Sequence, residues 1–203
     1  MNKLVSLPFL LLSSFCVLSF GQKLPISIYY ESLCPDSSRF ITNQLYPAYE
    51  YLKDYIALTF VPFGKAESAE GKTFVCQHGQ AECSLNMIQS CGLYIRAGNS
   101  DEQVEYVNCE MKMPFTNDTN SKICQNKSED WKIAGCYNGG LGYQLQIEAE
   151  RITHKIAKPY PSFVPTIVYN SIFDKDLQDR SLTEFANVIC EQINNVAPYC
   201  SVS

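Results

Sequence analysis

The chain has no basic cluster, no internal repeat and no low-complexity tract, and its 16 Lys and Arg are outnumbered by 21 Asp and Glu. A mildly acidic chain without a basic stripe excludes nucleic acid and anionic membrane as expected partners. After residue 21 no segment is apolar enough to cross a bilayer, so no membrane span is expected there. The absence with the largest consequence is a single thiol. Cys34-Pro35-Asp36-Ser37 has the frame of a Cys-x-x-Cys redox motif, but serine stands where the second cysteine belongs. Serine cannot form a disulfide, which excludes the usual intramolecular resolution of a mixed disulfide.

What is present begins with a leader. Lys3 supplies a charged start, Leu4 to Phe20 is mostly apolar, and Ser19 and Gly21 put small residues at the cleavage positions. This pattern predicts a secretory signal peptide over 1–21. Pro8, Ser13 and Ser14 interrupt the run and disfavour a membrane anchor. Residues 22–203 are then long enough for one domain with a real core. Of the ten cysteines Cys16 lies in the leader, leaving nine. In an oxidising compartment nine cysteines read as four bridges and one free thiol. Cys34 is the natural odd one, which leaves Cys76, Cys83, Cys91, Cys109, Cys124, Cys136, Cys190 and Cys200 for disulfides. Two sequons, Asn117-Asp118-Thr119 and Asn126-Lys127-Ser128, predict a glycosylated surface loop.

The alternating run Ile26–Tyr30 predicts a strand leading into Cys34. Residues 38–53 carry Phe40, Ile41, Leu45, Tyr49 and Leu52 at helical spacing, with Pro47 expected to end or kink the helix. Ile56–Val61 reads as a second strand, which completes a βαβ unit. Residues 65–75 read as a connecting loop. A helical insert over about 76–158 follows: a helix over 82–95, a polar irregular stretch over 99–127, a short helix over 131–136 and another over 144–156. Pro159, Pro161 and Pro165 lead into a strand at Thr166–Tyr169, and Asn170-Ser171 turns the chain into a short partner, Ile172-Phe173. Ser181, with Glu184 three residues on, predicts the capped start of a last helix. The order β-α-β, helical insert, β-β-α predicts an α/β thioredoxin-like fold with a disulfide-rich helical insertion.

Cys76-Gln77-His78-Gly79, two residues, Glu82-Cys83, two residues, Asn86, four residues and Cys91 form a motif of fixed spacing. It resembles, at every specified position, the signature of the gamma-interferon-inducible lysosomal thiol reductase family. Tyr30-Glu31-Ser32-Leu33-Cys34-Pro35 is similar to the family's strand-to-active-site segment, and Phe163-Val164-Pro165-Thr166 to its proline segment. The resemblance covers essentially all of residues 22–203. It implies a thioredoxin-like enzyme that reduces protein disulfides in acidic endosomes and lysosomes, with Cys34 as nucleophile and a cis Pro165 facing its sulfur. Ser37 departs from it, standing where characterised reductases carry the resolving cysteine, and resembles a recurrent variant of invertebrate relatives. Only Gln22 to Leu24 separates the expected cleavage site from the first strand, which leaves no room for a propeptide. Secretion therefore stands beside the lysosomal or endosomal lumen as the expected location.

Cys76, Cys83 and Cys91 with His78 fit no usual zinc spacing, and an oxidising compartment favours bridges, so no metal or other cofactor is expected. On one helix, Cys83 and Cys91 are roughly 12 Å apart along the axis, beyond disulfide reach, so each is expected to bond elsewhere. Cys109–Cys124 and Cys190–Cys200 are the local pairings to expect. His78 fits a hydrogen-bonding role in the Gln-His-Gly turn better than a catalytic base, and His154 reads as a helix-surface residue. A cysteine where a strand meets a helix lies at the positive end of the helix dipole, which favours the attacking thiolate. Asp36 opposes that charge, and the Ser37 hydroxyl can donate to the sulfur. Three functions remain open. Cys34 works as a monothiol on protein disulfides, with a low-molecular-weight thiol or the substrate resolving the adduct; the fold serves as a secreted binding module; or Cys34 links two chains, making a disulfide-linked dimer where the first two leave a monomer.

Overall fold

Leu24, Ile26, Ile28 and Tyr30 point to one face of a strand and Tyr29 to the other, and both faces are buried. That makes β1 (Leu24–Tyr30) the central strand of the fold. The computed structural model of the chain describes residues 22–71, 73–112, 124, 130–156 and 163–201. The leader over 1–21, both sequon asparagines, Asn117 and Asn126, and Pro159 and Pro161 lie outside the described residues. In the main sheet β1 pairs in parallel with β2 (Ile56–Pro62) and antiparallel with β5 (Thr166–Tyr169), in the order β2-β1-β5. The two strands expected to flank the reactive cysteine and the proline segment therefore share one sheet, with Ile28 opposite Ile167.

A helical run from Pro35 to Leu52 covers one face: α1 (Pro35–Phe40), a π segment (Ile41–Leu45) and α2 (Tyr46–Leu52). Pro47 neither ends nor breaks it. The Tyr46 N–H reaches back five residues to the Ile41 carbonyl, and this wider turn accommodates a ring that lacks a donor and crowds the preceding turn. Phe40, Ile41, Leu45 and Leu52 then pack with Phe185, Val188 and Ile189 of the last helix, α7 (Lys175–Gln192), against the β1 face. Full burial of one such side chain is worth about 1.5–3 kcal/mol.

The opposite face is smaller and is covered by Phe74, Cys83 and Ala149, which meet Tyr29, Val61, Phe63 and Val168. Phe74 comes from a hairpin, β3 (Glu67–Ala69) and β4 (Thr73–Val75), in the stretch that reads from sequence as a loop. Its strands are three residues long and exposed except for Phe74, so they carry almost no alternation to read. Between β4 and β5 come α3 (Gln80–Ile95), α4 (Ser100–Lys112), α5 (Asp130–Asn138) and α6 (Leu141–Thr153). Of these, α4 replaces much of the irregular stretch expected over 99–127. Asn99 caps it by accepting from the Glu102 N–H at 3.2 Å, and Val104, Val107 and Met111 are its buried apolar stripe. Asn108 and Glu110 are also buried there, which hides the stripe in a polar-looking sequence.

Two other expectations are corrected near the end of the chain. Ile172 forms only an isolated bridge with Tyr169, so no Ile172-Phe173 strand is built. The last helix starts two turns early, at Lys175, because Asp174 accepts from the Leu177 N–H at 3.0 Å and is the real cap. Ser181 is buried inside the helix and bonds the Leu177 carbonyl and the Tyr169 hydroxyl. Glu184 has non-helical dihedrals at a kink, where the next N–H, of Phe185, bonds the Gln44 side chain at 3.4 Å.

Candidate active site

Cys34 is the N-cap of α1 and Pro35 the first helical residue, a position where a missing N–H costs nothing. Cys34 is 6% exposed. Its sulfur accepts from the Ser37 backbone N–H at 3.5 Å and approaches the Val164 carbonyl at 3.7 Å. The Val164–Pro165 peptide is cis, and both residues are buried beside exposed Phe163. The fold thus brings Cys34, Ser37 and the Val164–Pro165 segment together across 130 residues of sequence.

Ser37 contributes differently from expectation. Its backbone reaches the sulfur, while its fully buried hydroxyl accepts from the Glu31 N–H at 3.5 Å. Asp36 is turned to solvent and paired with Arg39 at 2.9 Å, so a cation accompanies the charge that opposes a thiolate. A pair this exposed contributes at most about 1 kcal/mol to stability.

The signature motif holds the backbone that delivers Cys34. Asn86 Oδ1 accepts from the Ser32 N–H at 2.9 Å, and the Ser32 hydroxyl donates to the Glu82 carbonyl at 3.2 Å. Gln146 of α6 donates to the Asn86 carbonyl at 3.2 Å and to the Pro62 carbonyl at 3.1 Å, which ties α3, α6 and β2 together. His78 sits between two buried carboxylates, its Nδ1 2.5 Å from Glu82 Oε2 and 3.5 Å from Glu31 Oε2. Burial pushes the Glu31 carboxyl up, while the Lys65 N–H bonded to its Oε1 at 2.8 Å pulls it down. His78 is therefore hydrogen-bonded to Glu82, in the role its turn suggested, and faces Glu31 at ion-pair distance. His154 is the half-buried C-cap of α6.

Eight cysteines form four bridges: Cys76–Cys83, Cys91–Cys136, Cys109–Cys124 and Cys190–Cys200. Cys83 and Cys91 both lie on α3 and bond elsewhere, as their separation along the helix requires. Among the described residues Cys34 is the free cysteine.

Gln178 was not singled out by the sequence, yet it fixes the proline segment from both sides. Its Nε2 donates to the Pro165 carbonyl at 2.9 Å and its Oε1 accepts from the Ile167 N–H at 2.6 Å. With the helix start placed at Ser181, Gln178 falls outside the periodic stretch. The available signal was its position on the same face as Ser181 and Phe185.

A family profile described as gamma interferon inducible lysosomal thiol reductase (GILT) matches residues 25–138. A gamma-interferon-inducible lysosomal thiol reductase-like protein of Anopheles gambiae is 37% identical over 202 residues, covering 91% of this chain and 83% of its own. GILT-like protein 1 of Drosophila melanogaster is 39% identical over 197 residues, covering 88% and 78%. Among solved structures, the MdbA protein, a thiol-disulfide oxidoreductase from Actinomyces oris, superposes with a TM-score of 0.54 at 13% identity, covering 87% of this chain and 82% of its own. At that identity the likeness speaks for the fold alone, which is thioredoxin-like with a helical insertion.

Proposed function

Because the chain belongs to the gamma-interferon-inducible lysosomal thiol reductase family, we propose that it is a thiol–disulfide oxidoreductase of the secretory pathway that uses Cys34 as a monothiol. The observation that carries this reading is the free Cys34 sulfur at a helix N-cap, facing the Val164 carbonyl, while the other described cysteines are bridged. The Cys34 thiolate attacks one sulfur of a substrate disulfide; a Cys34–substrate disulfide forms and the second substrate sulfur leaves as a thiolate. A low-molecular-weight thiolate then attacks the Cys34 sulfur of this adduct and frees the second substrate thiolate. Another equivalent releases Cys34 as the two small thiols become joined in their own disulfide; alternatively the substrate's own thiolate returns and isomerises the substrate. Ser37 cannot take that step, and its part is to hold the sulfur through its backbone N–H. Val164 and Pro165 form the edge against which an extended substrate lies, with exposed Phe163 beside it.

In this reading residues 1–21 are removed, Asn117 and Asn126 carry glycans, and the protein works outside the cell or in the lysosomal or endosomal lumen. No helix among the described residues is long and apolar enough to cross a membrane. Insulin-disulfide reduction, with and without added glutathione, tests the mechanism. The wild type should need the external thiol and accumulate a mixed disulfide, and Cys34→Ser should abolish both activity and capture. Ser37→Cys should release the substrate from the adduct without external thiol, once per enzyme molecule, because effective molarities of well-oriented groups reach about 10⁵ M or more. The thiol is then needed only to reduce the new intramolecular disulfide. If a folded Ser37→Cys protein reduces insulin only at background, Cys34 is not a working nucleophile, and a secreted binding module replaces the enzyme.

A further inference from the structure

The signature loop and the segment before Cys34 meet in a cluster that the thiol chemistry does not use. Glu31 and Glu82 have fully buried side chains, and both face the imidazole of His78. The outer oxygens are held by backbone: Glu31 Oε1 by the Lys65 N–H at 2.8 Å and Glu82 Oε1 by the His78 N–H at 3.1 Å. The inner atoms, Glu31 Oε2, Glu82 Oε2 and His78 Nδ1, converge. One ligand atom from each residue lies within 4.8 Å of the other two. Glu31 Oε2 is buried without a hydrogen-bond partner. A buried carboxylate oxygen with no hydrogen bond is costly, and a divalent cation held among the three atoms would answer it.

We propose that Glu31, His78 and Glu82 form a binding site for a divalent transition-metal ion of the zinc class. One imidazole nitrogen with carboxylate oxygens is a borderline donor set that suits zinc better than calcium or magnesium, which take oxygen ligands alone. Ligand atoms around a tetrahedral zinc lie about 3.3 Å apart. The His78–Glu31 separation of 3.5 Å already matches, and the His78–Glu82 pair at 2.5 Å has to open by about 0.8 Å. Three protein ligands leave a fourth position for water, on the side of His78, whose side chain is 32% exposed. The local chain is built to hold the set. His78 and Glu82 lie inside the ring closed by Cys76–Cys83, and glycine at position 64 makes room for Glu31, since a Cβ there would come within 2.3 Å of Glu31 Cγ. The ligands differ from those weighed from the sequence: Cys76, Cys83 and Cys91 are spent in bridges, and two glutamates replace them around His78. The bound ion would cross-link the turn that carries Cys34 to α3.

The test is calorimetric titration of the full-length, disulfide-intact protein with Zn²⁺ at pH 7.5 after chelator treatment. Co²⁺ absorption serves as a second readout of the ligand set. One equivalent should bind and raise the melting temperature. Glu31→Gln and His78→Asn should each weaken binding by about 100-fold or more, given that even outer-shell partners of a metal site are worth 10–100-fold. His154→Asn, which leaves the cluster intact, should bind like the wild type. Near-UV circular dichroism establishes folding, and half-exposed His78 provides a variant that perturbs the core less than Glu31. Absence of binding at 100 μM Zn²⁺, or binding unchanged in folded His78→Asn, overturns the site. Insulin reduction through Cys34 is measured separately, so failure of one reading is distinguishable from failure of the other.

Discussion

The sheet half of the molecule and its helical insert depend on sulfur to different degrees. Around β1, fully buried Ile28, Ile41, Leu45, Leu52, Ile167, Phe185 and Ile189 form one continuous core, and its one bridge among the described residues, Cys190–Cys200, only fastens the end of α7 to the residues after it. At the outer end of the insert the core shrinks to Cys91, Ile133 and Cys136, while Trp131 on α5 is 70% exposed. There a disulfide is the hub of the cluster, and the half-buried Ile88, Ile95, Tyr137 and Leu145 pack around it. Where the chain buries enough apolar surface, a cysteine can stay free for chemistry. Where it does not, cysteines hold the structure.

The sharpest way to break this comparison is to remove the hub. Cys91 and Cys136 close a loop of 45 residues, for which the chain-entropy relation gives about 4 kcal/mol. The Cys91→Ala/Cys136→Ala double variant should lose about that much in denaturant unfolding. Hydrogen exchange should show α5 unprotected while β1 keeps its protection. Equal loss of protection in both regions would mean that they are one cooperative unit and the contrast is false.

The seam between the two halves gives the next effect. Glu110 of α4 is buried, faces Tyr30 of β1, and lies near Arg96 and Tyr106. Burial pushes its carboxyl up to about 7, against the pull of the Arg96 guanidinium and a hydrogen bond from Tyr106. The folded chain then holds this proton where the unfolded chain releases it. Stability is full below the ordinary value of 4.5, falls as pH rises, and is lowest above about 7. The span corresponds to at most about 3 kcal/mol. Glu110→Gln should flatten the profile and stabilise the protein above pH 7, measured by urea unfolding between pH 4.5 and 8. An unchanged slope would take Glu110 out of the seam's energetics. A seam strongest in acid suits the lumen proposed above.

The smallest effect sharpens the same seam sterically. Gly92 of α3 lies under the Tyr106 ring, and a Cβ there would come within 2.2 Å of it. Gly92→Ala should cost about 1–3 kcal/mol by overpacking, although alanine is the better helix former. A variant as stable as the wild type would show that α3 and α4 part without penalty.

Much of the fold was legible because it depends on local periodicity. The alternation of β1, the apolar spacing of residues 40–52 and the run into β2 placed the βαβ unit. The hairpin β3–β4 and α4 were not legible, since three-residue strands have too few alternations and α4 buries Asn108 and Glu110 along with its apolar stripe. Ser181 has the chemistry of a cap, so the sequence points to a start of α7 two turns late; in the fold Ser181 is fully buried and Asp174 takes that role. Pro47 carried a real signal, and the π turn before it absorbed the consequence.

At the site, the sequence alone determined the chemistry available: one thiol at a strand-to-helix junction, no second thiol in its frame, and a signature of fixed spacing. These follow from covalent identity and short-range order, which a linear pattern contains. Only the tertiary structure decided what the Cys34 sulfur meets, that Asn86 and Glu82 grip the backbone ahead of it, and that His78 stands between two buried carboxylates. Glu31 and Glu82 are 51 positions apart and Ser32 and Asn86 are 54 apart, and nothing local couples such pairs. Their charge and hydrogen-bonding state depend on which groups packing brings alongside and how far it excludes water, and that is settled only when the sheet and α3 close on one another.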